Sequence, residues 1–236
     1  MAETGDSAAA IPLYLQIAES IYRDIAAGRL PDGTRLPPER ELAGQFRTTV
    51  RTLRKGLAEL ERQGLLNRVQ GSGNYVRMDD SVKSIYSMFR LELPGGGGLP
   101  TARILGIDEM EKPAGLPAFG SSARGTRFRR LRFLDDQPIA VEEIWLDGDS
   151  GRVDPRKVAD SLYRFYQIEL GIWISRAEDR VSLGQVPGWA PQEFGKPSGA
   201  IVGYIERLGW AQAAHPVEFS RTWFDPDRSI YVQRLK

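Results

Sequence analysis

Two sets of charged residues stand where their types and spacing could do chemistry. Arg47, Arg51, Arg54 and Lys55 open the segment "FRTTVRTLRKGLAELERQGLL", in which no acid precedes Glu59. Leu53, Leu57 and Leu60 recur there at i, i+4 and i+7, the spacing of an amphipathic helix. Cations in the first turns oppose the helix macrodipole. Either this is a solvated basic face, or the helix end meets a polyanion. The second set is Arg130 and Arg132 with Glu142 and Glu218. The arginines, two apart, point to one face of a strand, and the glutamates interrupt otherwise apolar strands. Buried charge is costly unless paired or bound. One account is internal Arg–Glu pairing. The other is a polar ligand, an anionic group held by the arginines and hydroxyl or amine groups by the glutamates. Both hold if ligand replaces one set of pairs.

Other chemistries lack their residues. There is no cysteine, hence neither a disulfide framework nor a thiolate metal site. The single histidine, His215, precedes Pro216 and reads as a surface turn residue. A transition-metal site and a Ser-His-Asp triad are not expected, and neither is a cofactor. Neither "GSG" at 71–73 nor the glycine run at 95–98 has the spacing of a phosphate loop. That run reads as a flexible loop, or as backbone amides free to hold an anion.

The 236 residues, 41% hydrophobic, allow one or two domains. Net charge is only +1, yet residues 11–77 carry 11 Lys/Arg against 7 Asp/Glu, and the basic excess is confined to that third. An anionic partner for one part of the chain follows. The acidic start "MAETGDSAAA" reads as a disordered tail, not a signal peptide, and no stretch approaches a membrane span.

The elements that must position these residues follow from periodicity and punctuation. Pro12 opens a helix with the stripe Leu15, Ile17, Ala18, Ile21, Tyr22 and Ile25, stopped near Gly28. "LPDGTRLP" is a turn, and a second helix spans Pro38 to Gln45. Thr48 or Thr49 caps a third, ending near Gln63 with Gly64 as its C′ glycine. Leu65–Val69 and Asn74–Arg77 flank a Gly-Ser-Gly tip as a hairpin. Helix, helix, turn, helix and hairpin make residues 11–77 one unit, with a boundary at 78–82. From 101 onward β-rich runs predominate, with helices over Val158–Leu170 and near Ala190–Phe194. The fold class is α+β, with a largely antiparallel sheet. "QPIAVEEIW" and "HPVEFSRTW" echo each other, and their glutamates fall on corresponding strand faces.

"LPPERELAGQF", "VRTLRKGLAELERQGLL" and "VQGSGNYV" resemble the winged helix-turn-helix of the GntR transcription regulators. That family runs L-P-S-E-R-E-L-A, T-V-R-x-A-L-x-x-L-x-x-x-G-L and G-x-G-T-x-V, in that order. The chain departs from it at Pro38, usually Ser, and at Arg47, Thr48, Thr49 and Val50, usually Gly-Val-Ser-Arg. Val50 thus replaces an arginine that commonly touches bases, and Arg51 or Arg47 stands in. Ser72 replaces a frequent basic residue at the wing tip. The resemblance implies double-stranded operator DNA as partner, with Arg35, Glu39, Arg40, Arg47, Thr48, Thr49, Arg51, Thr52, Arg54, Gly71, Ser72 and Gly73 at the contact.

"RLRFLDDQPIAVEEIWL", "SLYRFYQIELGI", "AEDRV" and "HPVEFSRTWF" resemble the UTRA domain of the HutC branch of that family. This implies, over 83–236, an effector-binding fold shaped like chorismate lyase, a small-molecule pocket on one side of an antiparallel sheet, and a homodimer. The family's pocket positions fall on Arg130, Arg132, Glu142, Ser161, Tyr163, Glu218 and the pair Trp223–Phe224, where many relatives carry tyrosines. The expected function is a ligand-responsive, cytoplasmic and nucleoid-associated DNA-binding regulator, a repressor by family habit. A metabolite would shift the placement of the DNA-binding heads through a linker at 78–82. The alternative, suggested by the chorismate-lyase-like shape, is a small-molecule enzyme fused to a DNA-binding head. Against it, no nucleophile–base–orienter set can be assembled.

Overall fold

The computed structural model describes residues 12–26, 29–77, 88–98, 100–158 and 161–233. The expected tail at 1–10, the stop at Gly28 and the linker at 78–82 lie outside the described residues. The chain divides into two compact units, one built mainly from residues 11–90 and the other from Pro100–Tyr231 with Leu91–Pro94.

The first unit holds helices α1 (Leu13–Ala26), α2 (Glu39–Gln45) and α3 (Val50–Arg62) and hairpin β1 (Leu66–Val69)–β2 (Gly73–Val76). The helical stripe buries Ile17, Ala18, Ile21 and Ile25 against Leu42, Leu53, Leu57, Leu60 and Val76. Helices α1 and α3 cross at Gly56, where a Cβ would lie 2.8 Å from the Tyr14 carbonyl oxygen. Pro38 sits one residue earlier than expected, as the N-cap of α2. The cap of α3 is Thr49, whose Oγ1 accepts from the Thr52 amide at 3.1 Å. Its C-terminus is a Schellman turn: Gly64 has φ +80°, and the Leu65 amide bonds back to the Leu60 carbonyl. In the glycine run, Gly98 O accepts from Arg23 Nη1 at 2.8 Å.

The second unit is a six-stranded, wholly antiparallel sheet in the order β4-β5-β6-β9-β8-β7. Its strands are β4 (Pro100–Glu111), β5 (Arg124–Leu134), β6 (Gln137–Asp147), β7 (Arg176–Gln185), β8 (Ile201–Trp210) and β9 (Glu218–Phe224). A two-residue ribbon pairs β3 (Leu91–Glu92) with β10 (Ile230–Tyr231). Strand β4 was not singled out by pattern, because a bulge between Ile104 and Gly106 breaks its alternation. Asp135 and Asp136 both have positive φ, 47° and 64°, the type I′ geometry that matches strand twist in a two-residue hairpin.

The helix expected over Val158–Leu170 is shorter. Helix α4 spans Leu162–Phe165 and widens into a five-residue π turn, Tyr166–Leu170. Ser161 caps it, its Oγ accepting from the Arg164 amide at 3.3 Å. Pro155 begins a separate 3-10 turn, Pro155–Lys157. The second expected helix is one 3-10 turn, Gln192–Phe194. Leu162, Phe165 and Tyr166 pack on Phe128, Ile144 and Leu146. They cover part of one sheet face. Leu131, Val141, Val202 and Trp223 form a separate core with Val186 and Phe194.

Candidate functional site

In the first unit, the turn between α2 and α3 exposes the residues singled out by type. Arg47 is exposed and has φ +47°. It occupies the left-handed position that a glycine takes without strain. Arg40, Arg51 and Lys55 are exposed, and their side chains make no ion pair among the described residues. Thr49 caps α3, and its hydroxyl lies 3.0 Å from that of Thr52. Thr48 is half-buried beside it.

Arg54 is held differently. Its Nε donates to Glu39 Oε2 at 2.6 Å. Arg68, on β1 and not singled out from sequence, approaches Glu39 Oε1 at 3.7 Å. Glu39 is therefore a bracket between α2, α3 and the wing. With two guanidiniums on one carboxylate, the cluster keeps a net positive charge. The wing and the start of α2 border a concavity of about 660 Å³ lined by Arg35, Pro38, Glu39, Arg68 and Gly71–Gly73. Arg35 packs against Gly73, where a Cβ would lie 3.2 Å from its Nε. Ser72 bonds Tyr75 across the tip at 2.7 Å. This surface presents cations and backbone at two places, the α3 end and the wing, which suits a phosphate backbone.

In the second unit, register decides which charged residues meet. Arg130 pairs opposite Glu142, Glu142 opposite Thr222, and Leu146 opposite Glu218. Side chains alternate between faces along each strand. Arg130, Arg132, Glu142, Glu218 and Phe224 therefore share one face, as expected for all of them. Trp223 does not. One residue from Phe224, it faces the other way, packed edge-on to Trp189 at 5.8 Å and near Tyr204 at 5.3 Å. The pair Trp223–Phe224 cannot act as a unit, because neighbours on a strand point to opposite faces. Phe224 reaches the shared face because β8 offers Gly203 beneath it: a Cβ there would lie 2.2 Å from the ring.

Three ionic groups lie on that face. Arg130 donates to Glu142 Oε2 at 2.6 Å, and Arg132 lies 3.8 Å from the same oxygen. Burial alone would push the Glu142 carboxyl up; Arg130 and Arg132 together hold it below the usual carboxylate range. Tyr163, on α4, donates to Glu218 Oε1 at 2.9 Å. Burial raises the Glu218 carboxyl despite that bond. The buried Tyr166 hydroxyl also faces the Glu218 carboxylate and favours its charged form, although neither it nor Glu218 Oε2 makes a close hydrogen bond. Arg207 clasps Asp179 with both arms, at 2.5 and 2.7 Å, and Tyr231 donates to Asp179 at 2.7 Å. Burial works against the Arg207 charge, but Asp179 more than compensates and raises it. Ser161 is buried and committed to its cap.

Arg207, Asp179 and Tyr166 were not singled out as site residues. Arg207 had a legible signal: a charged residue within the apolar run "GAIVGYIERLGW", on the same alternation phase as Ile205. Asp179 had none, flanked as it is by exposed Glu178 and Arg180. Three guanidiniums converge with the carboxylates of Glu142, held low by its arginines, Asp179 and Glu218, whose charged form burial opposes. That leaves a positive excess suited to an anion, and a carboxyl able to bond hydroxyl groups.

Comparison with known proteins adds to this geometry. A family model for the UTRA domain matches residues 96–229, and one for bacterial regulatory proteins of the gntR family matches residues 13–76. The chain is 50% identical over 237 residues to the HTH-type transcriptional regulator SmoD of Agrobacterium fabrum, covering 100% of both. It is 28% identical over 232 residues to the HTH-type transcriptional repressor NagR of Bacillus subtilis, covering 95% of both. Among solved structures, the possible transcriptional regulator YydK of Bacillus subtilis superposes with a TM-score of 0.52 at 21% identity, over 96% of this chain and 100% of that one.

Proposed function

The chain belongs to the gntR family of bacterial regulatory proteins, with a UTRA domain after its winged helix, and from that premise we propose that it is a repressor released from operator DNA by a small anionic metabolite. The enzyme alternative has no support among its relatives, which are named as regulators. On this reading residues 11–77 bind DNA and residues 83–236 bind effector and dimerise. The protein works in the cytoplasm on nucleoid DNA, as a homodimer reading a near-palindrome with one α3 per half-site.

A single observation carries the effector reading: Arg130, Arg132 and Arg207 share one sheet face with Glu142 and Glu218. An anionic group seats against the arginines, and a ligand hydroxyl donates to Glu218. Arg51 and Arg47, with Arg40 behind them, meet the DNA; Arg54 does so from its bracket with Glu39. Ligand releases DNA only by binding one arrangement of the heads more tightly than the other.

Fluorescence anisotropy on the DNA upstream of the protein's own gene tests this, with a scrambled duplex as control at physiological salt. Specific DNA should bind at least about a thousandfold more tightly, and a metabolite screen should then find an anion that releases it. Equal, weak binding of both duplexes, together with no specific site in a genome-wide pull-down, would overturn the reading.

A further inference from the structure

The face of the sheet turned away from Arg130 and Glu142 carries a charged row of its own. Alternation along the strands puts Arg129, Glu143, Arg221, Glu206 and Arg180 there. They stand in register on five neighbouring strands: Arg129 opposite Glu143, Glu143 opposite Arg221, Arg221 opposite Glu206, and Glu206 opposite Arg180. Apolar clusters flank the row on both sides. On one side Trp223 packs with Val186 and Phe194, with Trp189 and Tyr204 half-buried at the margin. On the other, Trp145 and Phe219 pack with Phe119. The row between them stays open to solvent, with 28% of the Arg221 side chain and 38% of the Glu206 side chain exposed.

The acids of this row are already engaged. Glu143 accepts from Arg129 Nε at 3.0 Å and from Trp145 Nε1 at 3.2 Å. Glu206 accepts from the Tyr204 hydroxyl at 2.9 Å. Arg180 donates to Glu178 at 3.0 Å, and Arg127, on the same face, to Asp108 at 2.8 Å. Arg221 is held less closely. Its Nε lies 3.8 Å from Glu206 Oε1, beyond hydrogen-bond distance, and is buried without a hydrogen-bond partner among the described residues. Two residues along β9 stands Trp223, its ring centroid 5.3 Å from that of Tyr204 and 5.8 Å from that of Trp189.

We infer that this face holds a second ligand site, centred on Arg221, that takes a small aromatic carboxylate. The carboxylate bonds the Arg221 guanidinium, whose planar fork matches it. The ring lies against Tyr204 and Trp189. From Arg221 to Trp223 is roughly 6.6 Å along the strand, a span that one six-membered ring bearing a carboxyl group bridges. Charge selects the class. Glu143 and Glu206 flank Arg221, so a phosphate would bring its second charge against two carboxylates, whereas a carboxylate brings only one charge. An aliphatic acid would leave the two half-buried rings uncovered. The site is separate from the effector pocket, because Arg221 and Thr222 face opposite ways along β9.

Benzoate is the probe. Titrated into the full-length protein by calorimetry, it should bind saturably, while acetate and benzyl alcohol, each lacking one half of the recognised group, should not. Arg221→Gln should weaken benzoate binding by at least about tenfold. Arg221→Lys, which keeps the charge and loses the fork, should weaken it less, and Trp189→Leu, in the loop after β7, should weaken it too. Arg132→Ala, on the opposite face, should bind benzoate as the wild type does. Circular dichroism checks that each variant is folded. Equal benzoate affinity in the wild type, Arg221→Gln and Trp189→Leu overturns the site. So does loss of binding in Arg132→Ala, which would put benzoate in the effector pocket, and so does the lack of saturable binding at millimolar benzoate. None of these readings uses DNA, so the regulator reading can fail without disturbing them.

Discussion

Arg54 and Glu39 are joined by a 2.6 Å ion pair that crosses from α3 to the first residue of α2. The basic start of α3 is therefore not uniformly free. One cation is steered by an acid fifteen residues earlier in the chain, while Arg51 and Arg47 project from the same end of the motif. A surface pair of this kind adds little stability, about 0–1 kcal/mol, so its role is to aim the guanidinium.

Arg51→Ala should weaken operator binding and reduce the salt slope by about 1, the loss of one phosphate contact. Glu39→Gln should weaken specific binding more than nonspecific binding, because Arg54 keeps its charge and loses its direction. Anisotropy titrations over a range of salt check both. Unchanged slopes in Arg51→Ala would remove that residue from the interface.

Arg47→Gly separates stability from function. A non-glycine residue in the left-handed region costs about 1–2 kcal/mol, so glycine at φ +47° should raise stability by up to about 1 kcal/mol, part of the gain being lost to unfolded-chain entropy. Operator affinity should fall. Thermal melting and anisotropy on one preparation report the two effects. A drop in melting temperature would contradict the strained geometry.

Gly56→Ala should destabilise the first unit by about 1–3 kcal/mol, although alanine is the better helix former by about 1 kcal/mol. The new methyl would press on the Tyr14 carbonyl, a backbone atom that moves only with α1. Urea denaturation measures the sign, and a stabilised variant would show that the two helices can part without cost.

Arg132→Ala should abolish the effector response while DNA binding persists. Arg130→Ala should unfold the second unit more readily, by about 3–5 kcal/mol, since it leaves the buried Glu142 without its 2.6 Å partner. Retained induction by Arg132→Ala, read as effector-dependent release in anisotropy, would move the ligand elsewhere.

The two buried glutamates give opposite pH dependences. Glu142 is held low in the folded state, so its contribution is present above the ordinary carboxylate pKa and is lost as pH falls through the folded value. Glu218 is raised, so its contribution is full below the ordinary value and is lost as pH rises through the folded one. Glu218→Gln should therefore gain stability at neutral pH, by about 2–4 °C for each kcal/mol, and lose the effector response. Melting curves from pH 4 to pH 8 test the slope. A variant less stable than wild type at pH 7 would show that the charged form is the one the fold prefers.

Much of this was legible in the residues alone. The 3.6-residue stripe of α1, the threonine cap and C′ glycine of α3, and the glycine-tipped wing are local, so propensity and spacing determine them. The shared face of Arg130, Arg132, Glu142 and Glu218 followed from a period of two. Other features depend on which strands become neighbours. Trp223 turned to the opposite core because adjacent strand residues must diverge, whatever motif they share. Arg207 found Asp179 only because β7 and β8 pair in the register that sets them opposite each other. Arg54 found Glu39 only when α2 and α3 packed. Long-range partners are not encoded in any local period; they are chosen by packing and register, and on this sheet face those choices decide which charges meet.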